Sequence, residues 1–345
     1  MNEQQIQASL ARHAATPEIS VHEYVDSLVE SLGESIADRH KIYLDTRYWI
    51  YLREAAMGHP KHQCHRDILD YIRFLVSTGR AICPVSDVAW MELLKQTDLK
   101  TLLATATLLD ELSLGVAIKS EQERIISEIK RFITPQETIV PAWKLENRMW
   151  VKAGYVFGVA LPSVKEWSSE HNLLMQKTSV DLFWNITYRE MTETSGALPP
   201  MPDRMEQSAA KITAEMRHYA HQIRSTQQAF AAEIAGALSV FGDAIGEIMV
   251  RRFYQTSGNR GHLSKDQIDE TAKKTLNMLA NAFRLRPKIM AQHIPTIYSY
   301  AMCHAAVRMD KSRKFNGHDL LDIHHASTAS RTMMLCLPRT HYAFW

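Results

Sequence analysis

The sequence lacks the marks of a disulfide framework, a membrane span or a strongly charged coat. Its four cysteines, Cys64, Cys83, Cys303 and Cys336, share no paired spacing. That argues against a disulfide scaffold and a zinc knuckle, and for a reducing, cytoplasmic setting. No uncharged apolar run approaches the roughly eighteen residues of a membrane helix, so no membrane association is expected. The opening MNEQQIQASLARHAA has no apolar segment, which predicts no signal peptide. Charge of one sign is missing too: the net is +2, which specifies neither a nucleic-acid coat nor an acidic substrate. Sixteen histidines can add positive charge below neutral pH. There is no internal repeat and no low-complexity segment. No aspartate or glutamate follows Asp322.

What is present is a globular composition, 46% hydrophobic against 23% charged, enough for a sizeable core. Val21, Val25, Leu28, Leu32 and Ile36 recur at helical spacing, with Ser20 and Glu23 placed to cap. Ile42-Tyr43-Leu44 reads as a short buried strand over 41–45. Residues 66–77 form an amphipathic helical pattern closed by Gly79, residues 81–85 a second strand, and residues 87–96 a helix. This alternation is that of an α/β unit with a parallel sheet. From 98 to 310 the pattern turns helical, with stripes at Leu102, Leu103, Ala106, Leu109, Leu112 and at Ile125, Ile126, Ile129, Phe132, Ile133. ALPPMP at 197–202 reads as a rigid linker and GNRGH at 258–262 as a loop. Residues 203–257 and 264–286 are long stretches of helical composition, and 316–329 reads as a turn into a helix.

In open parallel sheets, ligands sit at the carboxyl ends of the strands. Asp45 and Ser86 fall at such ends. Glu92 lies six residues beyond Ser86 on the departing helix, and Asp319 and Asp322 open the last helix at a spacing that can share a face. Carboxylates from three distant segments brought together would repel, and a hard divalent cation relieves that repulsion. Such a centre activates water for phosphodiester hydrolysis. The alternative is structural: Asp45 and Asp319 as helix caps, Glu92 as a surface acid.

These residues carry a resemblance. LDT-x-x-x-I-Y-L (Leu44, Asp45, Thr46, Ile50, Tyr51, Leu52), P-V-S-x-x-x-x-x-E (Pro84 to Glu92) and D-x-x-x-A-x-x-A (Asp322, Ala326, Ala329) resemble, in order, the acidic motifs of PIN-domain nucleases. The resemblance covers about residues 41–96 and 316–329. It implies an α/β fold, a PIN-like parallel sheet flanked by helices, here with a large all-helical insertion and helix-rich overall. The parts would be an N-terminal helical segment (1–38), the first part of the core (39–97), the insertion (98–310) and the second part of the core (311–345). It implies a metal-dependent endoribonuclease using Mg2+ or Mn2+, of a kind found in toxins, RNA processing and antiviral defence. Asp45, Glu92, Asp319 and Asp322 would be catalytic, with Asp45, Glu92 and Asp322 on the metal. Thr46, Arg47, Ser86, Arg313 and Lys314 would meet the RNA. The insertion would select substrate or a protein partner such as an antitoxin, and a homo-oligomer is a further option. A decayed, non-catalytic interaction protein is the alternative.

The family's further strand and acid have no counterpart in SRTMMLCLPRTHYAFW, so the last strand is expected to be missing or altered and activity weakened. Met333-Met334 fixes the bases ATGATG, which read GAT in another frame, so a frame-shifted ending is one reading of this tail. His59, His62, Cys64 and His65 have transition-metal spacing in what otherwise reads as a solvated loop. Arg308, Lys311, Arg313 and Lys314 could hold phosphate oxygens or simply end a helix. Trp143, Trp150, Trp167 and Trp184 suit core packing or a platform for unpaired bases. An all-helical, metal-independent ribonuclease would need Arg286 and His293 on one helix, which Pro287 argues against.

Overall fold

The computed structural model describes residues 3–134, 144–197, 204–219, 221–257, 263–310, 313–332 and 335–336. The described residues are helix-rich, with sixteen α-helices and a small parallel sheet. The chain divides into two compact units. Unit 1 comprises residues 1–120, 143–201 and 332–345, and unit 2 comprises 121–142 and 202–331.

Unit 1 begins with α1 (Glu3–Ala14) and α2 (Val21–Ser35). The Ser20 hydroxyl accepts from Glu23 N–H while the Glu23 carboxylate accepts from Ser20 N–H, the reciprocal cap expected of this spacing. Strand β1 (His40–Tyr43) leads into α3 (Thr46–Ala56), then α4 (Gln63–Ser77). Gly79, at φ +72°, takes the left-handed turn that returns the chain to β2 (Ala81–Ile82). Helices α5 (Asp87–Leu93) and α6 (Leu99–Ser113) follow, then β3 (Val116–Ile118), β4 (Trp150–Lys152), α8 (Ser169–Asn185) and α9 (Tyr188–Ser195). Strand β5 is Leu335–Cys336.

Strand β1 is central, with β2 parallel on one side (His40↔Ala81) and β5 parallel on the other (Ile42↔Leu335). Strands β3 and β4 pair antiparallel (Ala117↔Val151). A parallel bridge between Val85 and Ala117 ties this ribbon to the chain just past β2; Ile118 N–H donates to the Val85 carbonyl at 2.8 Å. Apolar residues of β1, β2, α3, α4 and α6 fill one core: Ile42, Leu44, Trp49, Leu52, Leu69, Leu102 and Leu109 are all buried.

One expectation changes here. The span 98–310 is not almost wholly helical, because β3 and β4 lie within it and pair in a second sheet. Each has only three residues, too few to leave a period-two trace amid long helical patterns. Residues 99–120 and 144–197 also belong to the unit that carries the parallel sheet. The final strand, expected to be missing or altered, is described over two residues, Leu335–Cys336; Met333-Met334 and residues 337–345 lie outside the described residues.

Among its described residues unit 2 is all helix: α7 (Glu121–Ile133), α10 (Arg204–His218), α11 (Thr226–Val240), α12 (Gly242–Ser257), α13 (Lys265–Leu285), α14 (Pro287–His293), α15 (Pro295–Met309) and α16 (Gly317–Thr332). Its core gathers Ile125, Ile129, Ile234, Leu238, Ile245, Leu279, Phe283 and Ile297. The stretch 203–257, helical in composition, forms three helices among its described residues. Pro287 opens a new helix, so Arg286 ends α13 and His293 ends α14. Most of ALPPMP and all of GNRGH lie outside the described residues. Among the described residues no single helix is long and apolar enough to cross a membrane.

Candidate functional site

In unit 1 the predicted residues gather where β1 gives way to α3. Asp45 is the N-cap of α3 and its carboxylate accepts the Arg47 backbone N–H at 2.8 Å. An aspartate cap contributes about 1 kcal/mol, so the capping reading of Asp45 is realised. The next residue, Thr46, is buried, and its hydroxyl donates to the Glu92 carboxylate. Glu92 arrives on α5, so residues from the first two acidic motifs meet at one edge of the sheet. Asp45 and Glu92 are both half-buried.

Ser86 is at the expected strand end but is fully buried. Its hydroxyl caps α5 by accepting Ala89 N–H at 3.2 Å and lies 3.1 Å from the Tyr43 hydroxyl. A side chain with no exposed surface cannot touch RNA, so its expected substrate role is corrected to a structural one. Arg47 is exposed, as a phosphate-contacting residue must be, and its Nε donates to the Tyr51 hydroxyl at 2.7 Å.

In unit 2 the third motif opens α16. Asn316 and Asp319 cap the helix reciprocally: Asp319 N–H donates to Asn316 Oδ1 at 3.0 Å and Asn316 N–H donates to an Asp319 oxygen at 3.1 Å. Arg313 forms an ion pair with Asp319. These two candidates therefore hold each other, one as a cap and the other as its counter-charge. Lys314 is exposed, Asp322 is half-buried, and Lys311 lies outside the described residues.

Sequence reasoning missed a polar seam within unit 2. Glu121, at the start of α7, accepts from the Ser327 hydroxyl at 2.9 Å and pairs with His324 Nδ1 at 3.0 Å. Burial pushes the Glu121 pKa up, but His324, the Arg124 charge and Ser327 outweigh it and leave the pKa lowered. Arg124 is buried and donates to the Thr328 hydroxyl at 3.0 Å. The spacing Glu121, Arg124, Glu128 was a signal, since it puts three charges on one helix face. The partners, some two hundred residues later, were not visible from it.

Other candidates resolve individually. Trp150 is buried, Trp184 packs edge-on against Tyr155, Trp167 is 45% exposed, and Trp143 lies outside the described residues. His65 stacks on Tyr51 with ring centres 4.4 Å apart. Among the described residues, no group of three or more histidine, cysteine, aspartate or glutamate side chains is arranged to hold a metal ion. Asp45 and Glu92 nevertheless offer only oxygen, the donor chemistry of magnesium and manganese. Magnesium is commonly held through one or two carboxylates while keeping its waters. No protein-family model matches the chain, and no curated protein or solved structure matches it.

Proposed function

We propose that the protein is a metal-dependent endoribonuclease of PIN-like type, working in the cytoplasm as a toxin or defence effector. The observation that supports this best is the hydrogen bond from Thr46 to Glu92. It joins the acid-bearing end of the central parallel strand to the acid of the following motif. Asp45 and Glu92 would hold Mg2+ or Mn2+, and RNA would be the substrate. When bound, the metal supplies a Lewis acid and an activated water. The chain's own contribution is positional. The cap bond from Arg47 N–H fixes the Asp45 carboxylate, and the Thr46 hydroxyl fixes Glu92. Arg47 carries a cation that remains charged at any working pH and suits phosphate oxygens.

The test is cleavage of a labelled RNA by the full chain with Mg2+ or Mn2+, with and without EDTA, beside Asp45→Asn and Glu92→Gln. Asparagine caps a helix as well as aspartate does, so Asp45→Asn separates metal binding from folding. Cleavage that survives EDTA, or survives both substitutions, defeats the proposal. A second reading, a PIN-derived interaction protein without catalysis, draws on the capping use of Asp45 and Asp319 and on the lack of a three-ligand group among the described residues. RNA binding without cleavage at any Mg2+ or Mn2+ concentration favours that reading.

A further inference from the structure

We propose that Arg47, Tyr51, Lys61, His62 and His65 form a binding surface for single-stranded RNA beside the acidic edge of unit 1. The inference rests on the ribonuclease reading for its substrate class, but its geometry is independent of the acids. Tyr51 lies one turn after Arg47 on α3, the connection to α4 carries Lys61 and His62, and the first turn of α4 carries His65. The Arg47 guanidinium lies 5.5 Å from the Tyr51 ring centre and the Lys61 ammonium 5.7 Å. His65 stacks on the same ring at 4.4 Å with an interplanar angle of 10°. His62 stands edge-on to His65 at 5.3 Å and is exposed.

Two observations point to an anion carrying flat rings. First, Arg47 and Lys61 converge on one aromatic ring, and neither forms an ion pair with a carboxylate among the described residues. Both cations are exposed, so a phosphate can approach them, and the Asp45 charge acts on Arg47 without forming an ion pair. Second, the cations are interleaved with planar side chains. Burial, and then the nearby charges of His62 and Lys61, lower the His65 pKa, which keeps that ring neutral as a stacking surface. Duplex RNA hides its base faces and would gain only from the cations. An unpaired strand gains from both, its phosphates on Arg47 and Lys61 and a base on the exposed His62 ring.

The experiment measures binding apart from cleavage. Full-length Asp45→Asn protein is titrated in EDTA against a fluorescein-labelled twelve-nucleotide oligouridine, with an RNA duplex and inorganic phosphate as competitors. The single strand is expected to bind at least several-fold more tightly than the duplex, and millimolar phosphate to compete weakly. Arg47→Gln and Lys61→Gln should each weaken binding and reduce the salt slope by about 0.7, and together weaken it on the order of 10-fold or more. Arg47→Lys should recover part of the loss. Tyr51→Leu should weaken binding with little change in slope. Melting temperatures are compared throughout, so that misfolding is recognised. Unchanged affinity in the folded double variant overturns the proposal, as does equal affinity for duplex, or competition by phosphate as strong as by RNA. Protein that binds as described but never cleaves would refute the nuclease reading and leave this surface standing. Protein that cleaves while the variants bind normally would do the reverse.

Discussion

The two units differ in where they keep their polar side chains. In unit 1 the residues of interest stand where a strand hands over to a helix: Asp45 half-buried, Arg47 exposed, Lys61 and His62 exposed beyond them. In unit 2 the comparable groups lie between helices. Glu128 is fully buried and accepts from Thr296 N–H at 3.1 Å and its hydroxyl at 2.7 Å. Arg124 and His304 are buried as well, and Arg308 pairs with Glu233 at 3.2 Å. The same residue types do different work in the two settings. The strand end leaves its carboxylate half-buried at the start of a helix. A helix–helix seam consumes it in caps and pairs that fix which faces meet. Unit 1 also has a buried acid of the second kind, Asp181, which accepts from Ser9, His13, Tyr24 and Arg12 and fastens α1 to α8. The contrast therefore concerns position in the fold, not residue type.

The sharpest way to break the comparison is to substitute one acid of each kind. Asp45→Asn is expected to lower RNA cleavage on the order of 100-fold or more, because a metal ligand carries several kcal/mol of transition-state stabilisation. Its melting temperature should stay near that of the parent. Glu128→Ala should do the opposite: cleavage per folded molecule is retained while urea titration shows a loss of about 1–3 kcal/mol, the cost of orphaning the Thr296 donors. Equal effects on both readouts in both variants would erase the distinction.

A pH titration sharpens it further. Burial first, and the charge of His324 second, lower the His304 pKa to about 4. An unfolded histidine titrates near 6.5, so between these values the unfolded chain binds more protons. Stability should therefore fall as the pH drops from about 6.5 to about 4, by up to about 3 kcal/mol, and flatten below. His304→Gln should remove that part of the slope; an unchanged slope would show that His304 is not its source. The smallest effect is expected from Asp319→Asn. Asparagine preserves the reciprocal cap but loses the charge that faces Arg313, and a partly exposed pair contributes up to about 1 kcal/mol. A larger drop in melting would mean that Asp319 does more than cap α16.

Much of unit 1 was legible in the sequence because its signals are local. Ser20 and Glu23 cap α2 from three residues apart, Gly79 turns the chain before β2, and Asp45 sits at the boundary its neighbours imply. The antiparallel strands β3 and β4 were not legible. Trp150-Val151-Lys152 is a strand because it pairs with Val116–Ile118, a partner more than thirty residues away. Pairing of that kind leaves no periodicity in either segment. The RNA-facing candidates were half visible. Arg47 could be read from its distance to Asp45, whereas the stack of Tyr51 on His65 joins two helices and follows from neither. Ser86 was placed correctly along the chain and misjudged in role, since a strand-end position does not say whether a hydroxyl points outward or into the core.

The central strand has neighbours of very unequal age. Strand β2 leaves the ribosome soon after β1, but β5 is made roughly 290 residues later. At 5–20 residues per second that interval lasts about 15–60 s. Throughout it, one edge of β1 has no β5 to pair with, and all of unit 2 is synthesised in the meantime. The acid-bearing end of β1 thus acquires its second flank only when translation reaches Leu335. A nascent chain stalled before that point would carry Asp45 and Glu92 without the strand that completes the sheet beside them.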